Sequence, residues 1–364
     1  MKNRTKKFLT MILCVAMSAS LMAGCGAASS DGPAASSGKT YRLAFQCAFS
    51  AGGGPYVYCA DLADKIVECS GGRVSMDCLA TNSIVSTIDM LDAVANGTLD
   101  CAQTIAVSFP DDSLGILSTL PVGMTAEEYM GWYLSGEGQQ ILDEVMMEIS
   151  PNVVAFPCAA VDAEILYHST TPIERIEDIK GLKIRGLSDW AKIETMLGAS
   201  VVTMDGGECY EALSRGTIDA AEYSTPFADY AAGYHEVAPY LTVPGIHCPA
   251  AVHLFLINRN LWDGMDEQLQ NIIKNSCKAN LIESISKDRI ANVEAWGKFK
   301  ALEDEGKLTI FRLPEEDIDT IKEVAADYYS KKCDSNPLFA KVYNSQQEYL
   351  NNIGSWSEAS DIYR

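Results

Sequence analysis

The chain lacks the short motifs by which many enzyme and nucleotide sites are recognised. It contains no Cys-x-x-Cys pair, no Gly-x-Ser-x-Gly elbow, no Gly-x-Gly-x-x-Gly fingerprint and no glycine loop ending in Gly-Lys-Ser/Thr. Histidine is scarce, with four residues. Only His247, Cys248 and His253 cluster along the sequence, and their spacing matches no recognised metal site. These absences argue against a metalloenzyme and against an exported hydrolase.

Positive charge is also in short supply. The chain has 28 basic and 49 acidic residues, a formal net charge of −21. Such a balance argues against nucleic acid as a partner. It does not exclude an anionic ligand, because one buried arginine outweighs a diffuse surface charge at short range. With 364 residues, of which 48% are hydrophobic, the chain is long enough for two lobes that each bury a core.

The first 24 residues have the features of a secretion signal. Four basic residues precede the apolar run 8–22, which meets small residues before Cys25. This junction resembles a bacterial lipobox, in which Cys25 would be diacylated and would anchor the mature chain to the membrane. The alternative is an ordinary signal peptide whose cleavage falls near a cysteine. Residues 25–39, rich in Ser, Ala and Gly, fit a flexible tether. No later run reaches the roughly 18 apolar residues of a membrane span.

Ten of the twelve cysteines lie beyond the signal and Cys25. Their spacing is wide and unlike that of a zinc site. An exported compartment permits disulfides, but Cys78, Cys101 and Cys277 fall at apolar positions of predicted strands and helices. This placement favours buried free thiols over an extensive disulfide framework.

A phrase of the sequence occurs twice. Gly97-Thr98-Leu99-Asp100-Cys101-Ala102-Gln103 is echoed by Gly216-Thr217-Ile218-Asp219-Ala220-Ala221-Glu222. Each copy follows an amphipathic run that stops at a glycine suited to closing a helix, and each leads into a strand-like run. The echo predicts two similarly built α/β lobes, with Gln103 and Glu222 at equivalent strand ends.

Hydrophobic periodicity supports an α/β fold. A first strand at 41–45, a glycine loop, a helix at 56–69 and a half-buried strand at 74–78 open the chain. A helical region from Thr125 to about Ile149 is broken near 135–138, and a buried strand at 251–257 precedes a long helix that starts at Asp266. We expect lobe I at 40–160 and lobe II with a hinge crossing at 161–250. Residues 251–364 would supply a return strand, the long helix and C-terminal helices that brace both lobes.

Binding residues stand out where catalytic ones are missing. Arg185 ends the short strand 182–185 on its polar face, the place where open α/β sheets contact ligands, and a guanidinium fork suits a carboxylate. Glu222 and Tyr223 end a further predicted strand. Other ligand candidates are the strand-end and turn residues Gln103, Trp190, Phe227 and Tyr56. The alternatives are a surface arginine for Arg185, a hinge salt bridge for Glu222 and core packing for the aromatic residues.

Three segments together resemble the solute-binding proteins of tripartite ATP-independent periplasmic (TRAP) transporters. They are Asp178-Ile179-Lys180-Gly181-Leu182-Lys183-Ile184-Arg185, the run from Tyr210 to Glu222, and Gly233-Tyr234-His235-Glu236-Val237-Ala238-Pro239-Tyr240. The Asp-Ala-Ala-Glu sequence followed by an aromatic residue is most similar to the subgroup that binds 2-oxo or 2-hydroxy monocarboxylates together with a cation.

The resemblance implies a two-lobed, periplasmic-binding-protein-like receptor with crossing hinge strands and a long spanning helix. It would deliver a small organic acid to integral membrane permease subunits without catalysis. Arg185 would pair with the ligand carboxylate. Glu222 and the Tyr223 backbone would hold a sodium or calcium ion, whose positive charge would explain an acidic residue beside an anionic ligand. A ligand-sensing module for a signalling partner, built on the same fold, is the alternative function.

The chain departs from the family pattern at three places. The subgroup has a glutamine cation ligand before the arginine, whereas this chain offers Asp162 or Glu164 as substitutes. Tyrosines expected after the first phrase are replaced by the segment 106–109, and Tyr223 stands where tryptophan is usual. These differences leave the exact acid and the cation open.

Overall fold

A computed structural model describes residues 38–52 and 54–360. The predicted signal, Cys25 and most of the tether lie outside the described residues. Within the described ranges, no helix combines the length and the apolar character needed to cross a membrane.

The described residues form eleven strands and twelve α-helices. The strands are β1 (Tyr41–Cys47), β2 (Val74–Leu79), β3 (Cys101–Ile105), β4 (Val153–Val161), β5 (Tyr167–Ser169), β6 (Lys183–Arg185), β7 (Ser200–Val202), β8 (Ala220–Ala221), β9 (Tyr240–Val243), β10 (Ala251–Asn258) and β11 (Thr309–Arg312). The helices are α1 (Gly54–Cys69), α2 (Met90–Asn96), α3 (Asp112–Gly115), α4 (Ala126–Ser135), α5 (Gly138–Ile149), α6 (Ser188–Leu197), α7 (Gly206–Ser214), α8 (Pro226–Ala232), α9 (Arg259–Asp263), α10 (Glu267–Asp304), α11 (Glu315–Ser335) and α12 (Pro337–Ser360).

Two mixed sheets define two lobes, which confirms the predicted two-lobed α/β fold. The first sheet has the strand order β2-β1-β3-β10-β4, with β1, β2 and β3 parallel and β10 antiparallel to both its neighbours. The second has the order β11-β9-β5-β8-β6-β7. Every residue of β4 and β10 is buried, so both strands read as continuous apolar runs with little alternation.

The duplicated phrase has the same structure in both lobes. Gly97 and Gly216 both have positive φ, 80° and 67°, and each follows a helix. The aspartate of each phrase then accepts a backbone hydrogen bond from the neighbouring parallel strand. Asp100 Oδ2 bonds the Ala44 amide (2.7 Å), and Asp219 Oδ2 bonds the Lys183 amide (2.8 Å). The repeat therefore reflects a shared way of starting an inner strand of each sheet.

Two extended segments cross between the sheets, and a third crossing, through one long helix, leads from β10 to β11 in the second sheet. The chain leaves the first sheet after β4 and returns to it at β10. The two crossing segments contact each other, since the Glu164 amide donates to the Cys248 carbonyl (3.1 Å). Helix α10, which Asp266 caps at its N-terminus, runs for 38 residues and packs on β4 and α1 of the first lobe and on α8 of the second.

The cysteines of the described region are free. Ten thiols carry no disulfide there, and seven of them are buried. This agrees with the prediction of buried free thiols. The seven buried cysteines pack as small apolar side chains among buried hydrophobic residues.

Candidate ligand-binding site

A cavity of about 300 Å³ opens between the two lobes. Its volume is at the lower end of the range for small-molecule sites. The first lobe and the return strand contribute a largely apolar wall of Ile105, Val107, Ser108, Thr119, Pro121 and Ala251. The second lobe and the crossings contribute the charged and aromatic wall, made of Glu164, Arg185, Leu187, Ser188, Trp190, Glu222, Tyr223, His247 and Cys248.

Arg185 stands at the C-terminal end of β6 and is only 4% exposed. Its Nη1 donates to the Glu222 carbonyl (2.8 Å) and to Glu222 Oε2 (2.7 Å), while Nε donates to the Met204 carbonyl (3.4 Å). Its Nη2 has no protein partner among the described residues. A guanidinium fixed through two nitrogens with the third free is suited to hold an anion in one orientation.

Glu222 follows directly after β8 and is buried beside Arg185. Burial raises the pKa of Glu222 above its ordinary value, although the Arg185 and His247 side chains oppose that rise. Glu222 does form a salt bridge, but its partner is Arg185 on the adjacent strand of the same sheet, so the bridge does not cross the hinge as the alternative expected. The two predicted charged residues therefore lie in one cavity and contact each other directly.

Glu164 and His247 bring two further ligand atoms to Glu222. Glu164 lies in the crossing after β4, and His247 lies in the crossing before β10. Their side chains meet at 3.0 Å between Oε2 and Nε2. One donor atom from each of Glu164, Glu222 and His247 lies within 4.8 Å of the others. Two carboxylates and an imidazole at this separation form a donor set of the kind that holds a metal ion.

Two predicted aromatic residues also line the cavity. Trp190 is nearly fully buried on α6, and its ring centroid lies 5.8 Å from that of His247. Tyr223 is partly buried and packs edge-on against Tyr234 at 4.8 Å. Both rings therefore line the cavity, and the Trp190 ring also packs beside the His247 ring.

Four predicted residues lie away from the cavity lining. Gln103 is fully buried in the middle of β3, where its Nε2 is 3.3 Å from His253 Nδ1, so the prediction that it ends a strand is wrong. β3 continues two residues beyond Gln103, whereas β8 stops before Glu222. Tyr56 Oη donates to the Cys78 carbonyl (2.8 Å).

Phe227 and Asp162 are the other two. The partly exposed Phe227 ring lies against Gly54, where an added Cβ would overlap it. The Asp162 carboxylate accepts from Arg289 Nε at 2.8 Å, and its amide donates to Asp288. Of the two substitutes expected for the cation glutamine, Glu164 therefore reaches the cavity and Asp162 does not.

His247 is the residue that sequence reasoning missed. It lies 83 positions from Glu164 in the sequence. The two side chains meet only because the two crossing segments pack together, which no spacing of residues in the sequence predicts. The clustering of His247, Cys248 and His253 was visible in the sequence. His253, however, lies inside β10 and does not line the cavity.

A cavity between two lobes that holds a buried arginine is typical of a two-lobed protein that binds a small molecule. The family model described as "DctP: Bacterial extracellular solute-binding protein, family 7" matches residues 56–336. The chain therefore belongs to this family, the extracytoplasmic solute-binding proteins of TRAP transporters, and the predicted family is confirmed. The family is one of binding proteins rather than of enzymes.

Known relatives agree over most of their length. The monocarboxylate 2-oxoacid-binding periplasmic protein of Nostoc sp. (strain PCC 7120) is 25% identical, over 85% of this chain and 84% of its own. A TRAP solute-binding protein of Pseudoalteromonas atlantica, solved with bound sodium and pyruvate, is 25% identical with a TM-score of 0.80, covering 89% of this chain and 98% of that one. One from Colwellia psychrerythraea, solved with calcium and pyruvate, is 24% identical with a TM-score of 0.82 and the same coverage.

Proposed function

We propose that the protein captures a small organic acid, a 2-oxo or 2-hydroxy monocarboxylate, in the cavity between its lobes. The observation that carries the proposal is Arg185, a buried guanidinium whose Nη2 has no hydrogen-bond partner within residues 38–52 and 54–360. A buried cation of this kind favours a ligand that brings a carboxylate and can accept from its fork. The relatives from Nostoc and Pseudoalteromonas, named for or solved with such acids, support the same ligand class.

A cation would accompany the acid. Glu222, with the Tyr223 backbone, would hold the ion, and the ion would also contact ligand oxygens. An ion at this point offsets the repulsion between the Glu222 carboxylate and an anionic ligand. The sodium and calcium bound by the Pseudoalteromonas and Colwellia proteins support a role for a cation.

Capture would proceed by closure of lobe I (40–160) and lobe II (161–250) about the two crossings, with residues 251–364 bracing both. The two walls of the cavity come from different lobes, so a ligand that contacts both stabilises the closed arrangement. A lipid on Cys25 would tether the protein outside the cell membrane, and the loaded protein would pass the acid to integral permease subunits.

A thermal-shift screen tests the ligand class. The panel contains 2-oxo, 2-hydroxy, amino and aromatic acids, each paired with its amide, which lacks the carboxylate. A ligand that binds only the native state at 100 times its Kd stabilises it by about 2.7 kcal/mol, which raises the Tm by several degrees. We expect at least one monocarboxylate to do so and its amide to have no effect. If no acid shifts the Tm, or if acid and amide shift it equally, carboxylate capture is refuted.

A further inference from the structure

We propose that the cation of this site is a divalent transition-metal ion, with Zn²⁺ as the reference case, held by Glu164, Glu222 and His247. The inference deepens the proposed function, on which it rests for the place of the bound acid. It separates this chain from the relatives solved with sodium or calcium.

The donor types carry the first step. Sodium-like and calcium-like hard ions take oxygen ligands, whereas imidazole suits zinc, iron, nickel and copper. His247 is an imidazole whose Nε2 lies 3.0 Å from Glu164 Oε2, and one of its ring nitrogens lies within 4.8 Å of a Glu222 carboxylate oxygen. Its other nitrogen, Nδ1, is buried and has no hydrogen-bond partner within the described part of the chain. A site for a hard ion would gain nothing from this residue.

The geometry needs little adjustment. Bonds of zinc to nitrogen and carboxylate oxygen are about 2.0 to 2.2 Å, which places neighbouring ligand atoms roughly 3 to 3.5 Å apart. Here the three donor atoms lie within 4.8 Å of one another. Rotation of the Glu164 and Glu222 carboxylates would bring the donor atoms closer together, with Glu222 Oε2 also accepting from Arg185 Nη1 at 2.7 Å. Cys248 also lines the cavity, but its thiol contacts the Ala250 carbonyl (3.6 Å) and the Thr119 hydroxyl (3.4 Å).

Charge balance favours a dication over a monovalent ion. Glu164 and Glu222 bring two negative charges and Arg185 brings one positive charge to the same cavity. The proposed acid adds a third negative charge. A divalent ion neutralises the set, whereas sodium leaves one negative charge uncompensated in a poorly solvated site, where such a charge is costly. The subgroup that this chain resembles has a neutral glutamine as its cation ligand. Glu164, the substitute in this chain, adds one negative charge to the site.

The position of the ligands also links the ion to the hinge. Glu164 and His247 come from the two crossing segments, and Glu222 comes from the second sheet. An ion held by all three would tie the crossings to the lobe that carries Arg185. The opposing interpretation is that Glu164 and His247 form only a structural hydrogen-bonded pair.

The test uses the mature protein, stripped with a chelator and dialysed. Co²⁺ is titrated and followed by its visible absorption, Zn²⁺ is measured by displacement of Co²⁺, and Ca²⁺ and Na⁺ by calorimetry. We expect one Co²⁺ per chain and Zn²⁺ binding at least about tenfold tighter than Ca²⁺. His247→Gln restores an oxygen donor and should weaken Zn²⁺ binding at least about tenfold. His235→Gln, at a half-buried histidine stacked on Tyr230 outside the cavity, is the matched control and should change nothing.

Several outcomes overturn the inference. They are tighter binding of Ca²⁺ or Na⁺ than of Zn²⁺, unchanged Zn²⁺ affinity in His247→Gln, and equal loss in His235→Gln. The melting temperature of each stripped variant shows whether it is folded, and Glu164→Gln, which keeps the side-chain shape, provides a second route to the same loss. If Zn²⁺ does not bind through His247 while acids still raise the Tm, the metal proposal is refuted and the proposed function is kept. If Zn²⁺ binds through His247 while no acid binds, the metal site survives and acid capture fails.

Discussion

At the scale of single residues, the direction of a side chain could be predicted only where a strand with alternating polar and apolar residues carries it. Arg185 was predictable because a short alternating strand places its last residue on the polar face at the sheet edge. The partner of Glu222 was not, since Arg185 and Glu222 are 37 positions apart and meet only when β6 and β8 pair. His247 lacked even a strand to indicate its direction. Side chains on connecting segments escape prediction because their orientation depends on contacts between distant parts of the chain.

The buried histidine His253 makes stability depend on pH. It is fully buried in β10, its ring stacks on Phe49 at 4.7 Å, and Nε2 has no hydrogen-bond partner in the described region. Burial lowers the pKa of His253 to about 4, although Cys47 opposes the shift. In the unfolded chain the His253 imidazole is protonated as the pH falls below about 6.5, whereas in the folded protein it is protonated only near pH 4. The neutral His253 therefore makes its full contribution to the free energy of unfolding above pH 6.5, and this contribution is lost as the pH falls toward 4.

The measurement is the free energy of unfolding in urea at pH 7 and at pH 5, for the wild type and for His253→Gln. From the shift above, the wild type should lose about 2 kcal/mol more than the variant over this interval. Equal losses in the two proteins would show that His253 is not the group responsible.

At the scale of elements, the duplicated phrase was the most informative feature of the sequence. Its glycines and aspartates perform the same work in both lobes, as Asp100 and Asp219 each bond the backbone of the adjacent strand. The phrase failed only at its last position. Gln103 lies within β3, which pairs with β10. Glu222 instead follows the two-residue strand β8, and its side chain lines the cavity. The length of a strand depends on its neighbours in the sheet, which the phrase itself does not encode.

The contact between the crossings predicts a sensitive glycine. A Cβ at Gly245 would overlap the Glu164 carbonyl oxygen and backbone, which cannot move aside as a flexible side chain would. Gly245→Ala should therefore destabilise the fold by about 1 to 3 kcal/mol and displace Glu164 from the cavity. Chemical denaturation gives the first quantity, and Zn²⁺ affinity reports the second.

A matched glycine tests whether the effect is specific to the crossing. Gly297 is exposed in the interior of α10, and apart from the helix's own neighbouring backbone no atom of the described residues lies within 4 Å of an added Cβ. Gly297→Ala should stabilise the protein by roughly 0.5 to 1 kcal/mol, because alanine loses less backbone entropy in a helix. If both substitutions change stability in the same direction and by the same amount, the close packing of the crossings has no energetic weight.

At the scale of the whole molecule, the duplicated phrase and the hydrophobic pattern predicted two α/β lobes, and the family resemblance implied the crossing strands and the spanning helix. Alternating α/β elements, a buried return strand and a 38-residue helix were all visible in the hydrophobic pattern. The division of labour between the lobes also followed from the asymmetry of the two phrases. The charged wall belongs to the second lobe and the crossings, and the first lobe supplies an apolar wall. The convergence of Glu164 and His247 was not predictable, because it arises from the way the two crossings pass each other.

Calorimetric titration with the acid that gives the largest thermal shift tests the central claim most directly. The proteins are the wild type, Arg185→Lys and the control Arg215→Lys, whose arginine is exposed at the end of α7. Lysine keeps the charge beside Glu222 but lacks the guanidinium fork, so Arg185→Lys should remain folded and bind at least about tenfold more weakly. Arg215→Lys should bind like the wild type. Wild-type affinity in a folded Arg185→Lys protein would contradict the assignment of Arg185 as the carboxylate anchor.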